Sequence, residues 1–265
     1  PSTSPSQDLA KVNHGLETQE WPDVFYTLNT LRKIALHHSN LLMNAGVLHN
    51  IVRLGIKLID NLRSAVAKNA MLTIGDLFMG LGKHMDPEVT VLAVSLLKRS
   101  SDSSVFLAES ADAALQRMIE FTSASRCLGA LLANGDNRSP LIRAKMTCCV
   151  YALLNSDKGH ELPNSGREME SLKARLAKLV QDQLPETRAF SKNIVRCLIE
   201  RDILSKDDLE SHLSSDVVSK ALAAPLQPGN GFHKVSRQAS HSNLSSLRDR
   251  DDAASDYSSY AGGSR

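Results

Sequence analysis

The run Asp60-Asn61-Leu62-Arg63-Ser64-Ala65-Val66-Ala67-Lys68-Asn69-Ala70-Met71-Leu72-Thr73-Ile74-Gly75-Asp76-Leu77-Phe78 decides the fold. Asp60-Asn61 breaks the chain, and apolar residues then return at Val66, Ala70, Ile74 and Leu77. Those intervals trace one face of a helix, and no stretch of the chain sustains the alternation of a strand. A loop feeding an apolar helix is therefore the unit to look for elsewhere.

Working outward, the unit recurs. The starts Val66-Ala67, Leu107-Ala108, Ile142-Arg143 and Thr187-Arg188 fall in register, 41, 35 and 45 residues apart. Each follows an acidic or amide loop: Asp60-Asn61, Asp102-Ser103, Asp136-Asn137 and Asp182-Gln183. The intervals fall around the period of about 40–47 residues that marks HEAT and armadillo repeats. Upstream, Leu28, Leu31, Ile34 and Ala35 carry the same helical spacing, and Trp21-Pro22 splits an earlier helix pair. Asp86-Pro87-Glu88 reads as N-cap, first turn and acidic dipole partner of another helix. A single helix from about Ser205 to Ala223 would cap the end. The chain is thus expected to be all-α, a HEAT-repeat solenoid of five to six helix pairs over residues 7–224. One helix pair cannot bury its apolar face alone, so pairs stack and their tight loops line one edge. From Pro225 to Arg265 the composition turns to Ser, Gly and Asp, too poor in apolar residues to offset chain entropy, and a disordered tail is expected there. Within it Arg237-Gln238-Ala239-Ser240 matches a basophilic kinase pattern and makes Ser240 a phosphorylation candidate.

Composition narrows function. Hydrophobic residues are 42% of the 265 and aromatics only 4%, so a core must rest on Leu, Ile, Val, Ala and Met. Lys and Arg number 31 against 29 acids, and without the tail 26 against 25. That balance does not suit tracking of nucleic-acid phosphates. No stretch approaches the roughly 20 apolar residues of a membrane span, and the N-terminus lacks a signal pattern; no nucleic-acid or membrane partner is expected, and the protein is read as intracellular. A start at Pro1 suggests a piece cut or processed from a longer chain. Cys127, Cys148, Cys149 and Cys197 form no CxxC and read as buried thiols. Gly80-Leu81-Gly82-Lys83 fails the phosphate-loop spacing and reads as a helix end. His37-His38 lacks a metal-site partner motif and reads as dipole-matching groups at a helix end. Asp76, among Ile74, Leu77 and Phe78, is either a lone buried acid or a hydrogen-bond partner of a neighbouring repeat. No catalytic constellation, metal site or cofactor is expected.

The quoted run, with its Gly75-Asp76-Leu77-Phe78 ending, resembles the second repeat of TOG domains of the crescerin and CLASP kind. Trp21 is placed like the tryptophan of the first TOG loop, and Pro185-Glu186-Thr187-Arg188 resembles the fifth loop. The resemblance covers roughly residues 7–204. It implies a non-enzymatic module that binds αβ-tubulin or the microtubule lattice through its loop edge, in the cytoplasm and cytoskeleton, with the cilium or axoneme implied by the crescerin likeness. It carries over Trp21 in loop one; Asn61, Arg63, Ser64 and Lys68 around loop two; Arg138, Arg143 and Lys145 in loop four; and Arg188 and Lys192 in loop five. Two readings of these residues stay open. Trp21 is an interface anchor or folds under the first helix as a staple; Arg143 and Arg188 meet a partner's carboxylates or bridge within their repeats to Asp136 and Asp182. Ala108, and Ala67 in the matching slot, stand where similar domains usually carry Arg or Lys, and Glu20, Pro22 and Asp23 lie around the tryptophan. The competing function is a HEAT scaffold that binds another protein through its helical faces or tail.

Overall fold

The computed structural model describes residues 4–18, 20–44 and 47–223. The expected tail over 225–265 and Ser240 lie outside them. The helices are α1 Pro5–Glu17, α2 Trp21–His37, α3 Ser39–Asn44, α4 Leu48–Ile59, α5 Ser64–Leu81, α6 Val89–Ser100, α7 Val105–Phe121, α8 Ala124–Leu132, α9 Pro140–Asn155, α10 Arg167–Leu179, α11 Pro185–Glu200, α12 Lys206–Glu210 and α13 Ser215–Ala223. Short 3-10 turns span Gly82–Glu88 and Asp157–Glu161. Among the described residues there is no strand.

These helices form two layers. Helices α1, α4, α6, α8 and α10 stack in sequence, and α2, α5, α7, α9, α11 and α13 stack beside them. One continuous apolar core runs from Val12 to Ala221 between the layers. Helix α5 packs on α2, α4 and α7 at once, and a helix enclosed on so many sides carries apolar residues around most of its circumference. Its Gly80 lies directly on α2, where a Cβ would come within 2.0 Å of the Ala35 carbonyl oxygen. The helix ends at Leu81, and Gly82 at φ +54° turns the chain. The glycine cluster is a close-packing and helix-ending device.

Polar groups pin the second layer in register. Asp76, fully buried on α5, accepts from Arg32 Nε of α2 at 2.6 Å and from Arg117 Nη1 of α7. Of the two readings left open for Asp76, the bond to neighbouring repeats holds, and on both sides. Asn69 of the same helix donates from its amide to the Phe25 carbonyl and to Asn29 Oδ1, each at 3.1 Å. One repeat further on, Asp112 of α7 receives Lys145 Nζ of α9 at 3.0 and 2.8 Å, and the Ser100 hydroxyl of α6.

Two local expectations are corrected. Asp86 and Pro87 sit inside the 3-10 turn, and α6 starts after them at Val89. The Asp86 carboxylate instead accepts from the Ser123 amide at 3.0 Å and from its hydroxyl, and so serves the start of α8 in the next repeat. The expected single end helix over 205–223 is two, α12 and α13. Ser205 and Asp208 close a reciprocal capping box at the start of α12, and Arg196 Nη2 of α11 donates to the Ala221 carbonyl at the end of α13 at 3.0 Å. The four cysteines are buried and unbridged. Burial pushes the Cys127 and Cys148 thiols up to about 12 and raises those of Cys149 and Cys197, so they stay protonated and unreactive.

The Asp112–Lys145 pair makes a sharp stability prediction, because both side chains are 2% exposed or less. Asp112→Ala removes the carboxylate that takes a buried ammonium and should cost about 3–5 kcal/mol. Asp112→Leu combined with Lys145→Met should cost clearly less than Asp112→Ala alone. Urea unfolding followed by helical circular dichroism measures both.

Candidate binding ridge

Parallel helices of one layer, held in register, bring their starts to one edge. Asn61, Asp102, Asn137 and Asp182 each stand three residues before α5, α7, α9 and α11. Each side chain accepts the backbone amide two residues on: Arg63, Ser104, Ser139 and Leu184, at 2.8, 2.9, 2.9 and 3.0 Å. Short carboxylate or amide side chains make this turn locally, so four loops of different sequence share one shape. The residue after each turn is extended and hands the chain into the helix.

Neighbouring loops are also tied to one another. Arg99 Nε of α6 donates to the Ile59 carbonyl at 2.9 Å, and its Nη1 donates to Asp102 at 2.9 Å, which joins loops two and three. Asp60 takes Lys98 at 3.0 Å and Arg99 at 3.2 Å. Arg143 Nε reaches Asp182 at 2.6 Å and joins loops four and five. Asp136 is held by Arg175 and, at 3.1 Å, by Lys178 of α10.

Each sequence-derived candidate can now be placed. Trp21 opens α2 and is 45% exposed, which removes the staple reading. The Arg63 guanidinium lies 5.4 Å from its ring centroid. Ser64 is exposed at the first position of α5, and Asn61 is half-buried in its turn. Lys68 Nζ sits 4.0 Å over the Phe106 ring. Arg138 is exposed on loop four and Lys192 half-buried on α11. Arg143 does not bridge to Asp136 within its repeat; it crosses to Asp182, while Arg188 donates to the Asp182 and Gln183 carbonyls at 2.7 and 2.9 Å and makes no carboxylate pair there. Lys145 is the one candidate the structure moves off the edge. It is buried, and its ammonium is taken by Asp112, because its place in the second turn of α9 faces α7.

Sequence reasoning missed Leu62, Val105 and Phe106. Leu62 is fully exposed, and Val105 and Phe106 are 42% and 47% exposed at the start of α7. An apolar residue inside a polar turn, at a place fixed by the repeat register, was the available signal. With Trp21 they make an apolar strip across loops one to three, flanked by Arg63 and Lys68. Five helices begin along this ridge, each with the positive end of its dipole outward.

Loop five should be acid-sensitive. Burial alone raises the Asp182 carboxyl. The Arg143 bond, the Leu184 amide and the charges of Arg143 and Arg188 together outweigh it and hold the group below the ordinary aspartate range. A depressed carboxyl adds stability above its unfolded value, near about 3.9, and loses it as pH falls through the folded value. The Leu184 amide should therefore stay protected down to that range and open below it, as read by amide NMR. In Asp182→Asn the opening should lose its dependence on pH.

The sequence model of the CLASP N-terminal family matches residues 30–224. TOG array regulator of axonemal microtubules protein 1 of Mus musculus is 28% identical over 218 residues, 78% of this chain and 12% of the mouse protein. Crescerin-like protein che-12 of Caenorhabditis elegans is 25% identical over 219 residues, 80% of this chain and 16% of the worm protein. The chain thus spans only a small part of the length of these relatives. A chain from the structure "Structural Basis of Microtubule Plus End Tracking by XMAP215, CLIP-170 and EB1" superposes with a TM-score of 0.61 at 16% identity, covering 91% of this chain and 93% of the other. A chain from "Crescerin uses a TOG domain array to regulate microtubules in the primary cilium" does so with a TM-score of 0.54 at 14% identity, covering 89% of each. Those superpositions show a shared fold. With the family match covering most of its length, the chain belongs to the CLASP N-terminal family of TOG-type, non-catalytic HEAT-like modules.

Proposed function

We propose that this chain is a microtubule-associated module that docks on αβ-tubulin, free or in the lattice, through the ridge of loops that opens α2, α5, α7, α9 and α11. The observation that carries the reading is the group of Trp21, Leu62, Val105 and Phe106, left in water at the starts of α2, α5 and α7, with loops two and three tied to each other through Arg99. Exposed aromatic side chains on a rigid edge are what interface anchors look like before a partner covers them. Arg63 and Lys68 beside the rings, and the positive helix ends behind them, suit an acidic partner surface. Two curated relatives are named for axonemal microtubules and crescerin, and this supports regulation of axonemal or ciliary microtubules as the setting.

The docking is a mixture of apolar burial and charge, and the two parts respond differently to salt. Apolar contact is insensitive to it, whereas exposed charges are screened over about 8–10 Å at physiological ionic strength. Co-sedimentation with microtubules at two salt concentrations, with gel filtration against free tubulin, tests the proposal. Trp21→Ala with Phe106→Ala should weaken binding by about thirtyfold or more, the scale of two anchor positions, with helical circular dichroism unchanged. A wild-type chain that neither pellets with microtubules nor co-elutes with tubulin would sink the proposal and leave a HEAT scaffold for another protein.

A further inference from the structure

Proline follows serine at Ser4-Pro5 and at Ser139-Pro140, and the second of these steps stands on the ridge. Ser139 hands loop four into α9, and Pro140 is the first residue of that helix. A residue before proline is pushed towards extended backbone, and Ser139 has φ −73° and ψ 118°. The bond to Pro140 is trans. A serine in this position commonly spends its hydroxyl on an amide of the first turn. Ser205 does so at the start of α12, and Ser123 at the start of α8 gives its hydroxyl to Asp86. The Ser139 hydroxyl makes no capping bond. Loop four keeps its shape without it: Asn137 Oδ1 accepts from the Ser139 amide at 2.9 Å, and Arg143 Nη1 donates to the Asn137 and Arg138 carbonyls at 2.8 and 3.3 Å. Ser104, at the start of α7, also leaves its hydroxyl uncapped, but Val105 follows it rather than proline.

We propose that Ser139 is a phosphorylation site for a proline-directed protein kinase, and that the phosphate weakens docking of the ridge. The second half rests on the ridge being the docking face for an acidic partner. An extended serine before a trans proline is the geometry such kinases read, and exposed Arg138 precedes it. To enter a kinase cleft the segment must release the first turn of α9. Pro140 has no amide to lose, and the helical bond that opens first is that of the Arg143 amide to the Ser139 carbonyl, at 3.2 Å. In the transfer Ser139 Oγ bonds to the γ-phosphorus of ATP, the bond from that phosphorus to its bridging oxygen breaks, ADP leaves, and the kinase's catalytic base takes the hydroxyl proton. The product carries about 1.5–2 negative charges near pH 7. At the start of α9 that charge meets the positive helix end and first-turn amides without intrahelical partners, so the helix is strengthened. On the ridge it offsets Arg138 and opposes an acidic surface.

The test uses the whole chain carrying Ser4→Ala, so that the other Ser-Pro step is silent. It is treated with ATP and a cyclin-dependent kinase or, separately, a mitogen-activated kinase, and mapped by mass spectrometry. Phosphate is expected on Ser139. Co-sedimentation with microtubules at low salt should then weaken by about tenfold against the mock-treated chain, and the gap should narrow as salt rises. The thermal midpoint followed by helical circular dichroism should rise by about 2–4 °C. With Ser139→Ala added, treatment should change neither reading. A chain that both kinases leave unlabelled at Ser139 would overturn the proposal. So would a phosphorylated chain that binds as before, or one that binds less only because its midpoint has fallen. If the untreated chain does not bind microtubules at all, the docking reading fails, and labelling of Ser139 with a raised midpoint still decides whether this is a modification site.

Discussion

A carboxylate buried between helices has to be met from more than one direction, and Asp76 is met from two. Arg32 approaches it from α2 and Arg117 from α7. Both arginines stand about three turns into their helices, as Asp76 does in α5. The clamp therefore opposes sliding: moving either neighbour by a turn would take away one of the two arginines that hold the buried carboxylate. Leucine-rich faces alone tolerate sliding, since one apolar residue packs about as well as the next. The bond from Lys145 to Asp112 extends the same constraint to α9. Once second-layer helices are parallel and in register, their starts must share an edge.

The edge then inherits its order from the layer. Loops usually carry function because they escape the demands of packing, but these loops do not escape entirely. Loops two to five each spend an Asx side chain on their own backbone, Arg99 bridges loops two and three, and Arg143 bridges loops four and five. What remains unspent is a small group of side chains, and it is unevenly spread. The apolar residues gather on loops one to three, whereas loops four and five put much of their basic charge into internal bonds.

The fold was legible because a solenoid writes its period into the chain. The helix starts near residues 66, 107, 142 and 187 emerge from spacing alone, and all four stand within the first turns of α5, α7, α9 and α11. The break inside 205–223 was not legible, since Ser205 and Asp208 form a capping box that reads equally well as the start of one long helix. Site residues were harder. Trp21 declares itself by size, but Lys145 and Lys68 look alike in sequence. Only the tertiary packing shows that one lies on Asp112 in the core and the other over Phe106 at the surface. Asp86 misled for a related reason: its local pattern suits an N-cap, and a residue 37 positions away claimed it first.

The alanines at 67 and 108 make physical sense of the uneven ridge. They occupy the helix position that Arg143 and Arg188 hold in later repeats, so loops two and three have no guanidinium closing them from behind. Arg99 supplies that service from the first layer, with one bond to the last carbonyl of α4, where loop two begins, and one to Asp102 of loop three. Because the brace comes from the other layer, the second-layer slot can shrink to a methyl group, and both alanines are buried. Lys68 and Phe106, next to those small residues, are left to pair with each other at the surface.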